Sequence, residues 1–228
     1  DRFPDILLSA DYGNSKVLVN NAGTGYVDYT PPTINDRSGM GATVADYDND
    51  GDLDWYVSAI GDTREEFLFI GLLNGSRLYQ NDGDGNYTNV TKAAGVTQTY
   101  WGWGTCFADF NNDGFQDIFT VNGYDGWTEE QSVNRSYERF NDDRAVLFIN
   151  NGDRTFTEKG VELGITHTAM GRGLVCHDYD RDGDLDMLIA NSGESPSLFR
   201  NNIFAQGNNF LNIQLKGSRL NPQAVGAQ

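Results

Sequence analysis

The chain is short of positive charge, histidine, cysteine and proline, and each shortage removes a class of reading. With 16 Lys and Arg against 33 Asp and Glu, the formal charge is −17 at pH 7. That is the wrong sign for a nucleic-acid backbone or an anionic membrane surface. Only His167 and His177 could act as neutral-pH bases, and no Gly-x-Ser-x-Gly nucleophile turn is present. No apolar run reaches the about 20 residues needed to cross a bilayer. Two cysteines, Cys106 and Cys176, are too few for a disulfide framework. Cys106 stands three residues before Asp109 and Cys176 two before Asp178, so on alternating strands they face opposite sides; the expectation is two buried free thiols. Five prolines against 27 glycines indicate many tight turns and not low-complexity disorder. Aromatics at 12% in 228 residues supply a sizeable packed core.

What the chain does have is aspartate, concentrated in three places. Asp46-Tyr47-Asp48-Asn49-Asp50-Gly51-Asp52-Leu53-Asp54 returns as Asp109 to Asp117 and again as Asp178 to Asp186. In each copy, positions 1, 3, 5 and 9 carry side-chain oxygen and position 6 is glycine, a pattern that gathers hard donors on one point and suits Ca²⁺. The three copies hold 13 of the aspartates, which places the acidity in the loops. Position 12 is Val57, Thr120 or Ile189, and the flanks are β-branched and aromatic, so the loop is a hairpin turn and not an EF-hand.

Two further motifs keep step with the loops. Gly39-Met40-Gly41, Gly102-Trp103-Gly104 and Gly171-Arg172-Gly173 each place their second glycine five residues before the loop. They lead into strands and not helices, which removes the anion-binding helix end of a dinucleotide site. Close backbone packing is the expected role, with Met40, Trp103 and Arg172 as variable side chains. A short strand ending in Asn20, Asn81, Asn150 or Asn201 precedes the next loop by 26, 28 and 28 residues in the first three cases. Loop-to-loop spacings of 63 and 69 residues fit a four-stranded sheet repeated radially, a β-propeller. The surplus length falls in 61–75 and 122–144, rich in acids and aromatics, where recognition or solvated loop are equal expectations. Asp1 to Asp5 match the back half of a degenerate loop, with Arg2 in the glycine position, so the first residue is expected to lie inside a repeat.

Gly-x-Gly, strand, Asp-x-Asp/Asn-x-Asp-Gly-x-x-Asp, strand resembles the FG-GAP or VCBS repeat, the blade of integrin-α-like propellers. The resemblance implies an all-β fold of four-stranded blades, here about three to four blades of a seven-bladed ring, over residues 1–207. Residues 208–228, with Phe210-Leu211-Asn212-Ile213 and Gly226-Ala227, are similar to the start of an ASPIC/UnbV module. Carried over, the ligands of three Ca²⁺ are Asp46, Asp48, Asp50 and Asp54; Asp109, Asn111, Asp113 and Asp117; Asp178, Asp180, Asp182 and Asp186. Position 7 (Asp52, Phe115, Asp184) offers its backbone carbonyl. With three carboxylates and not four, the middle loop is expected to bind most weakly.

The family implies an extracellular or cell-surface module that binds protein or glycan. A secreted polysaccharide lyase on a calcium-stabilised propeller and a subunit of an extracellular assembly are the alternatives. No catalytic residue is assigned: His177 beside Asp178 reads as packing or support. Sequons at Asn74, Asn86, Asn89 and Asn134 permit glycosylation in an exported protein.

Overall fold

A computed structural model describes residues 3–61, 74–124, 140–202, 210, 211 and 213–219. Among these, regular structure is all β: fourteen strands in four antiparallel sheets. β1 (Ile6–Leu8), β2 (Lys16–Asn20) and β3 (Tyr26–Asp28) form the first blade. β4 (Gly39–Ala45), β5 (Asp54–Ala59), β6 (Arg77–Asn81) and β7 (Tyr87–Asn89) form the second. β8 (Gly102–Ala108), β9 (Asp117–Asn122), β10 (Val146–Asn150) and β11 (Phe156–Glu158) form the third; β12 (Gly171–His177), β13 (Asp186–Asn191) and β14 (Ser197–Phe199) form the fourth. Each sheet is a meander in chain order, which is the blade of a partial β-propeller. Most of the two long insertions, 62–73 and 125–139, falls outside the described residues, as does the sequon at Asn134.

The central strands have no polar face because blades stack on both sides of them. β5 reads Asp-Trp-Tyr-Val-Ser-Ala and is buried throughout. Its alternate residues enter different cores: Trp55 and Val57 meet Leu7 and Val17 of the first blade, while Tyr56 meets Ile118 and Phe148 of the third. The third and fourth blades repeat the arrangement, Phe119 and Leu147 packing on Met187 and Ile189. Burying such a side chain contributes about 1.5–3 kcal/mol, so each blade interface adds several such contributions.

The Gly-x-Gly pairs open the innermost strands β4, β8 and β12, which lie side by side. A bulge interrupts the register at each pair, pushing the middle residue out of the ladder. A Cβ on Gly41 would run into the Trp103 carbonyl, and one on Gly104 would lie 2.9 Å from the Arg172 carbonyl. Close backbone approach between blades is therefore the reason for glycine. Arg172 then stacks its guanidinium 4.2 Å from the Trp103 ring, and both side chains donate to the Gly123 carbonyl.

The expectation of free thiols is overturned: Cys106 and Cys176 form a disulfide, and no described cysteine is free. The two do face opposite sides of their own sheets. Because β8 and β12 are neighbours in successive blades, opposite sides turn toward each other. The bond staples the third blade to the fourth across a sequence separation of 70 residues, worth about 4 kcal/mol in the chain-entropy account.

Candidate metal centres

Each loop is folded by its own carboxylates before any cation is considered. In the first, Asp46 accepts the N–H groups of Asp50 at 3.0 Å and Gly51 at 2.9 Å, and Asp50 accepts that of Asp52 at 3.2 Å. Asp109 and Asp178 repeat the double acceptance from Asp113 and Gly114, and from Asp182 and Gly183. The turn needs a left-handed residue at position 4, supplied by Asn49, Asn112 and Arg181 with φ of 57°, 53° and 65°, followed by glycine at φ 91° to 101°.

Position 9 ties the loop into the sheet. Asp54 is fully buried and accepts from Tyr47 N at 3.1 Å and from Asn81 N at 2.9 Å. Asp117 does the same with Phe110 and Asn150, and Asp186 with Tyr179 and Asn201. The asparagine ending each Leu-x-x-Asn strand is thus fastened to the loop of its own blade. Burial pushes the Asp54 and Asp117 carboxyls up to about 7 against those hydrogen bonds, with neighbouring aspartates adding to the rise.

Oxygens of Asp46, Asp48 and Asp50 lie within 4.8 Å of one another, as do those of Asp178, Asp180 and Asp186. Asp48 supplies the clearest test of fit. Its side chain is fully buried. Oδ2 accepts from Gln80 Nε2 at 2.7 Å and pairs with Arg154 Nε at 3.2 Å. Oδ1 is buried with no hydrogen-bond partner, an arrangement that is costly unless something positive meets it. Carboxylate oxygens with one such orphan, and no nitrogen or sulfur donor, fit a hard divalent cation. In the third loop Arg200 pairs with Asp180 at 2.8 Å and Asp182 at 3.0 Å. In the middle loop Asn111 is held internally, its amide donating to Asp113 Oδ2 at 2.8 Å and its oxygen accepting Asp113 N–H at 3.0 Å. The Asp52 and Phe115 side chains at position 7 lie against Gly83 and Gly152 of the following turn.

Reading residues alone did not find Gln80, Arg154 and Arg200, which lie outside the nine-residue pattern. Gln80 and Arg200 share one place, directly before the strand-ending asparagine, where the middle repeat has Ile149. Arg154 comes from the third blade to the loop of the second, which no local pattern signals. The two histidines are apart in role: His177 is exposed and pairs in register with Asp186. His167 packs edge-on against Phe199, and burial lowers its pKa.

Over 137 residues, 59% of this chain, the sequence is 28% identical to cartilage acidic protein 1 of Xenopus tropicalis. The chain spans about a fifth of that relative's length, the matched part being 19%. The profile of the FG-GAP-like repeat matches residues 1–57, 60–120 and 125–189. Each match ends in the strand after a loop, so one repeat runs from the outer strands of one blade into the inner strands of the next. Three tandem matches across most of its length show that the chain belongs to the FG-GAP-like repeat family.

Proposed function

We propose that this chain is an extracellular, calcium-binding propeller segment that serves as a protein- or glycan-binding or structural module. The observation that carries the metal reading is the buried, unpartnered Asp48 Oδ1 inside the Asp46, Asp48 and Asp50 triangle. Position 1, 3, 5 and 9 side chains would hold the ion in each loop, with the position 7 carbonyl of Asp52, Phe115 and Asp184. Bound there, a cation supplies charge compensation and rigidity: the carboxylates that already organise the turn would no longer repel one another. Asn111 leaves the middle loop with the fewest carboxylates, while Arg154 and Arg200 narrow the charge difference from the outer two. Titration calorimetry on single-loop Asp→Ala variants tests the sites; three bound ions falling to two in each variant is the expected result, and no calcium uptake by the native chain would sink the reading.

The family and its cartilage relative support a location outside the cell, and the Cys106–Cys176 bond suits an oxidising compartment. Residues 208–228 are assigned as the start of a second, ASPIC/UnbV-like module. A binding role predicts retention of matrix proteins or glycans on immobilised chain in calcium and their release by EDTA. Turnover of acidic polysaccharides, abolished by His177→Ala, would instead establish the lyase alternative.

A further inference from the structure

The three loops are hydrogen-bonded to one another in series. Position 4 sits between ligand positions 3 and 5, and its side chain leaves the loop. Asn49 Nδ2 donates to the Gly114 carbonyl at 3.1 Å, and Asn112 Nδ2 to the Gly183 carbonyl at 3.2 Å. The peptide groups so held present their N–H to the next loop's carboxylates: Phe115 N donates to Asp113 Oδ1 at 2.9 Å, and Asp184 N to Asp182 Oδ1 at 3.4 Å. A second link runs the other way. Asn150 holds Asp117 Oδ1 through its backbone N–H and donates its amide to the Tyr47 carbonyl at 2.8 Å. Asn201 holds Asp186 Oδ1 and donates to the Phe110 carbonyl at 2.7 Å. Each junction between successive loops is therefore bridged twice, and every bridge ends on a carboxylate that faces or supports a metal position.

We propose that Asn49 and Asn112 are positioning residues that couple the loops, so that a cation held in one raises the affinity of its neighbours. The proposal rests on the calcium reading above. Closing the first loop on a cation fixes positions 3 and 5, and with them the left-handed backbone and amide of Asn49. That amide orients and polarises the 114–115 peptide, whose N–H already points at Asp113; hydrogen bonds in such chains strengthen one another. The second loop then has less to reorganise when its own cation arrives. Asn112 repeats the step toward the third loop. Coupling of this kind is reciprocal, so occupation of the third loop strengthens the second equally.

The test is calcium titration calorimetry on the full 228-residue chain, where the native curve should be steeper than independent sites allow. Asp178→Ala, which removes the third site, should weaken binding at the remaining sites by about fivefold, the lower end of measured couplings. In an Asn112→Gly background, where glycine keeps the left-handed backbone and loses the donor, the same change should weaken them less than twofold. Equal weakening in both backgrounds, or a native curve described by independent sites, overturns the coupling while leaving the sites intact. Absence of any calcium binding fails the underlying reading instead. Should Asn112→Gly not fold, judged by circular dichroism, the native titration and Asn49→Gly decide the matter.

Discussion

The first and third loops differ in sequence at one position, Asn49 against Arg181, yet they sit in different surroundings. Tyr47 is 1% exposed, its ring tilted against Phe156 of the next blade at 5.6 Å. Tyr179, the same residue at the same loop position, is 50% exposed. Asp48 is held by Arg154 from the following blade, whereas Asp180 is held by Arg200 of its own. Val175, Leu188 and Leu198 are exposed cross-strand partners on the outer face of the fourth blade. Their counterparts Tyr56 and Leu78 are wholly buried. Nine residues make the turn, and the neighbouring blade decides how tightly it is held.

On the proposed calcium reading, the largest lever on this contrast is the cation. At a hundredfold excess over Kd each occupied site adds about 2.7 kcal/mol, so EDTA should lower the calorimetric melting temperature by well over ten degrees. Hydrogen exchange under EDTA should then show 178–186 opening before 46–54; the reverse order would mean that blade contacts do not set loop stability.

Next in size is the disulfide, which anchors the blade carrying the third loop. Replacing Cys106 and Cys176 together by alanine should cost about 4 kcal/mol, read by urea denaturation. The loss should appear as earlier exposure of the fourth blade, with 46–54 little affected. Uniform loss across the chain would contradict the view that the bond acts locally.

Tyr47→Ala empties a core position and should cost about 3 kcal/mol. Tyr179→Ala, at the exposed copy, should stay within about 0.5 kcal/mol. Equal costs in paired denaturation curves would show that the two loops share one environment.

A smaller effect concerns pH. Asp54 and Asp117 lie near 7 in the folded, metal-free chain, above the ordinary carboxylate value of 3.8. Between about pH 4 and 7 the native state keeps protons that the unfolded chain has released, so stability falls as pH rises through that window. In EDTA the melting temperature should drop steadily from pH 5 to pH 7.5. Saturating calcium, which requires ionised ligands, should reverse the slope. A melting temperature in EDTA that climbs with pH would mean that these carboxyls are not strained by burial.

Much of the fold was legible because its signals are local. The aspartates at alternate positions and the glycine at position 6 define a turn whose first carboxylate finds both of its backbone donors within nine residues. The β-branched flanks of Asp46 and Asp109 become β4, β5, β8 and β9, and the Gly-x-Gly reading of backbone contact holds at Gly41 and Gly104. Pairing of Cys106 with Cys176 was not legible, because alternation along a strand says which side a thiol takes and nothing of what stands beyond it. The strand-ending asparagines were visible as a repeat, but the amide bonds of Asn150 and Asn201 to the preceding loop depend on how blades stack. Arg154 could not be found at all, since its partner Asp48 lies in the preceding blade.

The sequence by itself determined the turn, the strand and the repeat, because carboxylate spacing, left-handed residues and period-two apolar patterns act over a few residues. Only the tertiary structure decided which aromatic is buried, which thiols meet and which loops touch. Those outcomes depend on the face that one blade turns to the next, and stacking brings together groups 70 to 103 residues apart that no local pattern relates.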